Sequence, residues 1–382
     1  MGQQEMEGED TRHLEQPQRF QGQLTIAVPD ADAYNPHTGI GRVLSSLRAC
    51  WGERVQWANA QQRALPLPVL RNLPYGIRVQ GRADLVLLPR LTGAQALRDA
   101  GNVPGIVLVH DIGIKDYAGD REGMSWLTYQ SILRSFWGLR HASHVIAVSR
   151  FTRDRLLHYL PELAPRLTVI PDAIAPVFLR HQASKGASRD RLAGYIGRAL
   201  GEPLLIYVGT EIARKNIPLL LQVLRRVKES YPGAQLLKVG RAGSAHWRTR
   251  TLAVAQALKL ETGRDILLLE DIDDPLLADA YRAADLFVST SLYEGFGLPA
   301  LEAMAVGIPV LVTNCGSFPE VVGQAGWVVE PEVQLFTQAT LRALNDPRMV
   351  ERVQQGQARA QAFTISQAAE RYLEVMQQVA HR

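Results

Sequence analysis

The chain has 382 residues, with 42 lysines and arginines against 38 aspartates and glutamates, a formal charge of +4, and two cysteines. That length exceeds one ordinary domain and suffices for two, and the dispersed positive excess, with no basic cluster interleaved with aromatics, excludes a nucleic-acid-binding class. No apolar run is long enough to span a bilayer, and Cys50 and Cys315 have neither metal-ligand nor redox spacing, which excludes a disulfide framework.

Residues 1–23 are polar, carry no apolar signal-peptide core and read as a loose tail; without an export signal the expected location is cytoplasmic. The basic excess suits anionic ligands and is compatible with peripheral contact with anionic lipid at the inner face of the membrane. From residue 24 onward, short apolar runs alternate with helical stretches. Strands are predicted at 24–30, 84–89, 105–110, 144–149 and 167–171, with helices at 42–50 and 152–160. Near-continuous apolar runs of this length belong to parallel sheets covered on both faces. Residues 175–203 are polar and lack a strand pattern, so they are read as a linker with a short helix. The alternation then restarts, with strands at 204–209, 234–240, 265–270, 284–290, 309–313 and 326–330 and helices between them. The predicted class is α/β, with two Rossmann-like doubly wound domains facing across a cleft. The expected domains are 24–180 on the N-terminal side and 203–364 on the C-terminal side. A linker, 181–202, joins them, and a last helical segment covers 365–382. In such sheets ligands bind outside the carboxyl ends of the strands.

The chain is organised around Glu294-Gly-Phe-Gly-Leu-Pro-Ala-Leu-Glu302, directly after an apolar strand. Pro299 suits the first turn of a helix, and Gly307 is a natural stop for it. A loop with glycines feeding a helix N-terminus aims backbone N–H groups at the crevice, a place anions favour. Two glutamates eight apart are by themselves ordinary surface charges. Gly295, Phe296, Gly297 and Leu298 between them, however, make a poor solvated loop and a good ligand wall. Other strand ends carry further candidates. Thr38-Gly39-Ile-Gly41-Arg42 is a weak Gly-x-Gly signal, a tight turn or a close approach to a diphosphate. His110-Asp111 closes a strand, where a histidine is as often structural as functional. In 209–216, Gly209 ends a strand and Arg214-Lys215 precede a helix, where a phosphate would need cations. Asp271-x-Asp273 after another strand reads either as a divalent-metal motif or as helix-start charge.

These stretches resemble the retaining glycosyltransferases of family 4, which have the GT-B fold. The likeness is closest from Ser291-Leu-Tyr-Glu294 through Gly307-Ile-Pro-Val310 to Pro319-Glu-Val-Val-Gly323. It also covers Thr38–Arg42, His110-Asp111, Ser149-Arg-Phe-Thr152, 209–216 and the last helix, which in the family crosses back onto the N-terminal domain. Ala213 stands where the family often has proline, which affects loop stiffness only. The resemblance implies a catalytic set of His110, Arg214, Lys215 and Glu294. It implies a donor-binding set of Gly39, Gly41, Gly209, Arg214, Lys215, Gly295, Phe296, Gly297, Leu298 and Glu302. In the family, Arg214 and Lys215 would hold the leaving diphosphate, Glu294 the sugar, Glu302 the ribose and His110 the sugar from the opposite domain. No cofactor or metal is implied, since the nucleotide-sugar is a substrate. The branch resembled is that of mannosyltransferases of polysaccharide assembly. The expected reaction is transfer of mannose or a related hexose from GDP-mannose, or another nucleoside-diphosphate-sugar such as a UDP-sugar, to a glycan or lipid-linked acceptor. An inactive nucleotide-sugar-binding subunit is the alternative from another class, and it would be favoured by loss of His110, Lys215 or Glu294. A pyridoxal-dependent phosphorylase lacks a placed Schiff-base lysine.

Overall fold

The computed structural model describes residues 23–29, 39–63, 75–122 and 124–381. Two sheets form the frame. The first runs through β1 (Leu24–Ala27), β2 (Val55–Arg63), β3 (Gly76–Gln80), β4 (Leu85–Leu88), β5 (Gly105–Val109), β6 (His144–Ala147) and β7 (Leu167–Val169). Its spatial order is β3-β2-β1-β4-β5-β6-β7, and all pairs are parallel except β2 with β3. The second contains β8 (Leu204–Val208), β9 (Gln235–Val239), β10 (Ile266–Leu269), β11 (Leu286–Ser289), β12 (Val310–Thr313) and β13 (Trp327–Val329). Its order is β10-β9-β8-β11-β12-β13, wholly parallel. The strand order reverses between β8 and β11, so the loops that follow those two strands flank the crevice where a doubly wound sheet takes its ligand.

The predicted class therefore holds, with two additions to the strands. β2 and β3 were not predicted, because β2 reads Val-Gln-Trp-Ala-Asn-Ala-Gln-Gln-Arg and buries only Val55 fully. An antiparallel edge needs apolar side chains on one face at most, so it lacks the unbroken apolar run of a central strand.

The stretch expected as linker contains a helix, Lys185–Ile196, capped by the Ser184 hydroxyl. It packs on the helix Asp274–Ala283. The Ser188 hydroxyl donates to Asp279 at 2.7 Å, and Arg191 Nε donates to the same carboxylate at 2.7 Å. The segment is thus fastened to the C-terminal half, with no long unstructured span. The last helix, Ile365–Ala380, begins with a Thr364/Gln367 capping box and buries Ile365, Ala369, Leu373, Met376 and Val379 at helical spacing. That stripe lies on the helix Gly39–Trp51 and on the first sheet. Trp51 Nε1 donates to the carbonyl of Ala369 at 2.9 Å, and the Tyr372 ring meets Trp51 edge-on at 6.5 Å. At roughly 1.5–3 kcal/mol for each large side chain fully buried, this contact alone ties the C-terminal end of the chain to its N-terminal half.

Candidate active site

The loop after β8 and the loop after β11 are knitted together. Leu292 N–H donates to the Arg214 carbonyl at 2.7 Å, and the Thr290 hydroxyl donates to the Asn216 carbonyl at 3.0 Å. Gly209 has φ 156°, and a Cβ there would lie 2.6 Å from the Tyr207 hydroxyl. Gly297 caps the helix Leu298–Val306 with φ 92°, Pro299 sits in its first turn, and Gly307 ends it in the left-handed conformation. The loop thus presents the free N–H groups of a helix N-terminus, as its sequence predicts.

Across the cleft, the N-terminal half closes on this loop. Ser149 Oγ donates to the Gly295 carbonyl at 2.5 Å, and Thr152 Oγ1 does so at 3.2 Å. A Cβ on Gly295 would lie 1.7 Å from the His110 carbonyl oxygen, so only glycine permits the approach. Glu320 reaches from the C-terminal half to the first N–H groups of the helix Arg150–Tyr159, accepting from Arg150 N at 3.2 Å. The Tyr293 hydroxyl donates to Asp116 at 3.1 Å.

Between the halves lies a cavity of about 170 Å³, lined by Val43, His110, Asp111, Asp172 and 294–299. His110 ends β5, with Nδ1 at 3.3 Å from Asp172 Oδ2 and Nε2 at 3.1 Å from the Pro89 carbonyl. Both ring nitrogens face acceptors, an arrangement fully satisfied when both carry protons. Burial pushes the His110 pKa down, but the Asp172 charge, the hydrogen bonds to Asp172 and Pro89, and Asp111 outweigh it and hold it above the ordinary histidine value. Asp172 is buried, and its other oxygen, Oδ1, has no hydrogen-bond partner among the described residues.

The two adjacent cations are engaged by carboxylates. Lys215 Nζ stands 2.5 Å from Glu294 Oε1. Arg214 reaches Asp120 Oδ2 at 3.0 Å and Asp111 Oδ2 at 3.2 Å, both on the N-terminal half, while its own N–H donates to Asp120 Oδ1 at 3.1 Å. Burial disfavours the guanidinium charge, but Asp111 and Asp120 outweigh it and hold the Arg214 pKa above its ordinary value. Arg214 Nε is buried without a hydrogen-bond partner among the described residues.

Glu302 is buried and accepts from the Tyr281 hydroxyl at 2.8 Å. It lines a small crevice that shares Val43 and Leu298 with the main cavity. Phe296 lines the main cavity, yet its ring is mostly packed, with Phe363 edge-on at 5.6 Å. Gly39 and Gly41 begin a helix directly. Thr38, the loop before it and the Arg42 side chain lie outside the described residues, as does the tail through residue 22. Of the two aspartates weighed as a metal motif, Asp273 caps the helix Asp274–Ala283, accepting from Leu276 N at 2.9 Å. Asp271 pairs with Arg241. Among the described residues no group of three or more His, Cys, Asp or Glu is placed to hold a metal ion. Asp172 and Asp120 were missed from sequence. Asp172 follows a strand at the same sheet edge as His110, which is a usable signal; Asp120 carries none.

Two nucleotide-type sheets facing across a cleft, with the glycine loop, His110 and the Arg214-Lys215 pair at its walls, define the GT-B class. A family model for glycosyl transferases group 1 matches residues 189–360, and one for Glycosyltransferase Family 4 matches residues 23–177, so the two take in most of the chain. The chain belongs to family 4 of the glycosyltransferases. It is 38% identical over 234 residues to an O-antigen chain mannosyltransferase B of Escherichia coli, covering 59% of this chain and 58% of that one. It is 28% identical over 262 residues to a glycogen synthase of Mycobacterium tuberculosis, covering 68% of this chain and 59% of that one. The matches thus span less than two thirds of these relatives' lengths. Among solved structures the fold is similar to a sucrose-phosphate synthase from Thermosynechococcus elongatus, with TM-score 0.71, 20% identity, and 94% of this chain and 99% of that one covered. It is also similar to an Anabaena protein solved with UDP and glucose, with TM-score 0.71, 18% identity, and 93% and 100% covered. At such identities the likeness concerns the fold.

Proposed function

We propose that the chain transfers a hexose, mannose in the first instance, from a nucleoside-diphosphate-sugar to a glycan or lipid-linked acceptor with retention of anomeric configuration. The observation that carries this reading is the Lys215–Glu294 pair at the cavity that His110 and Asp172 also line. A cation and a carboxylate stand side by side there, at the strand-order reversal of a doubly wound sheet, which supports a site for a diphosphate and sugar hydroxyls. The mannosyl reading draws on the Escherichia coli relative named above.

In this mechanism the bond from the anomeric carbon to the phosphate oxygen breaks, and negative charge collects on the diphosphate. Lys215 and the N–H groups of 296–298 face that charge, and Arg214 offers its unpartnered Nε–H. Glu294, released from Lys215, holds sugar hydroxyls beside the developing ring cation. Glu302 holds the ribose from the neighbouring crevice. Each carboxylate that lines the cavity is engaged by a basic side chain: Asp111 by Arg214, Asp172 by His110 and Glu294 by Lys215. Asp111 and Asp172 keep these partners, and Glu294, once parted from Lys215, is occupied by the sugar hydroxyls. Attack by the acceptor hydroxyl on the face the phosphate leaves, with its proton passing to the departing phosphate oxygen, is therefore the step proposed in place of a covalent sugar–enzyme intermediate. Arg214 and Lys215 supply the counter-charge, so turnover is expected to survive a chelator. The binding-subunit alternative is disfavoured, since His110, Lys215 and Glu294 are all present and meet at or beside one cavity.

The test is a donor screen with GDP-mannose, GDP-glucose, UDP-glucose and UDP-N-acetylglucosamine, read by mass spectrometry for transfer to manno-oligosaccharides and for donor hydrolysis. GDP-mannose turnover is the expected result. Tight nucleoside diphosphate binding with no turnover of any donor would favour the binding subunit.

A further inference from the structure

A second cavity, of about 250 Å³, opens between the halves and shares no lining residue with the first. The Arg214 cluster lies between them. Ala213 and Gly119 line the second cavity, while their neighbours Arg214 and Asp120 bind each other, and Arg214 also binds Asp111 on the first. Tyr117, Gly119 and Glu122 come from the N-terminal half; Ile212, Asn216, Trp247 and Arg250 come from the C-terminal half. The walls are joined across the cleft by Glu122, which pairs with Arg250 at 2.9 Å and with His246 at 3.1 Å. The cavity therefore exists only when the halves are closed on one another.

Its chemistry narrows the ligand. The carboxylates are already balanced: Glu122 by Arg250, and Glu211 by Lys238 at 2.9 Å and Arg248 at 2.7 Å. Neither a phosphate nor a cation finds an excess of opposite charge. A wholly apolar guest would leave the Tyr117 hydroxyl and the Asn216 amide unpaired, since neither has a hydrogen-bond partner among the described residues. The aromatic walls Tyr117 and Trp247 favour a flat, ring-shaped body, and polar groups set around its edge favour hydroxyls. The volume exceeds that of the cavity assigned to the donor sugar.

We propose that this cavity binds one neutral hexose unit of a glycan, separate from the sugar being transferred, and that its occupant holds the two halves closed. Its link to the reaction rests on the transferase reading; sugar binding itself does not. The probes are α-linked mannotriose and maltotriose, titrated by calorimetry and by saturation-transfer NMR into protein with and without saturating nucleoside diphosphate. Tyr117→Leu and Arg250→Gln serve as two independent variants, each checked for folding by its melting profile. One trisaccharide should bind wild type, and each variant should weaken it by about tenfold, the scale of one lost anchor contact. Transfer to a single-sugar acceptor should be unchanged in Tyr117→Leu, the variant that leaves the Glu122–Arg250 pair in place. Absence of binding by both trisaccharides, or equal affinity in wild type and both variants, overturns the proposal. Nucleoside diphosphate, titrated by itself into wild type, judges the reaction site separately, because that result does not enter the comparison between wild type and variants.

Discussion

Lys215 Nζ and Glu294 Oε1 lie 2.5 Å apart and join the loop after β8 to the loop after β11. The two side chains satisfy each other with little exposure, so a donor must part them, and each then acquires its own task. Lys215→Ala is expected to cost roughly 2 kcal/mol or more of transition-state stabilisation, together with some folding stability because Glu294 is left without its partner. Steady-state rates at saturating donor check this. A rate near wild type removes Lys215 from the diphosphate.

On the proposed reading the two glutamates separate by what they bind. Glu294→Gln keeps the shape, removes the charge facing the sugar, and is expected to lower kcat while leaving affinity for free nucleoside diphosphate nearly unchanged. Glu302→Gln is expected to weaken donor and free nucleoside diphosphate alike. Interactions stronger in the transition state than in the ground state enter kcat, while uniform binding enters KM. Calorimetry with nucleoside diphosphate on both variants, beside their rates, decides; equal binding losses with unchanged kcat make Glu294 part of the nucleotide pocket.

His110 gives a pH signature. Its folded pKa is raised, so the stability from its pair with Asp172 is fully present below the unfolded value of about 6.5 and is lost as pH rises through the folded value. Asp172→Asn removes the charge behind the rise. The melting difference between wild type and Asp172→Asn should therefore be larger at pH 6 than at pH 9, and the His110 ring should titrate lower in the variant by NMR. A pH-independent difference contradicts the ion pair.

Gly295 tests closure. A methyl group there meets the His110 carbonyl oxygen at 1.7 Å and the Asp111 Cβ at 2.8 Å. Gly295→Ala is expected to lower transfer by about 100-fold, the scale of an ångström's misplacement of reacting groups. Nucleoside diphosphate affinity, which on the proposed reading rests on the C-terminal half, should stay close to wild type. Wild-type turnover in this variant would show that chemistry does not need this closed contact.

The central strands and the glycine loop were legible because burial on both faces demands an unbroken apolar run, and a loop entering a helix demands Gly297, Pro299 and Gly307 at fixed places. β2 and β3 were not: β3 is the sheet's edge and β2, beside it, is only partly covered, so both tolerate polar residues such as Gln and Arg. Single residues whose meaning comes from a distant partner were also hidden. Asp120 is a loop aspartate until Arg214, 94 residues later, lies against it. Glu320 is a helix-start charge until it caps Arg150 from 170 residues away. Asp172 sat at a strand end, as His110 did, but without a neighbour in sequence to mark it.

The most direct test of the account is the anomeric configuration of the product. With GDP-α-mannose and a manno-oligosaccharide acceptor, the one-bond carbon–proton coupling of the new anomeric centre is read by NMR. An α-linked mannose is predicted, because in the proposed mechanism the acceptor attacks the face the diphosphate leaves. A β-linked product would contradict the account.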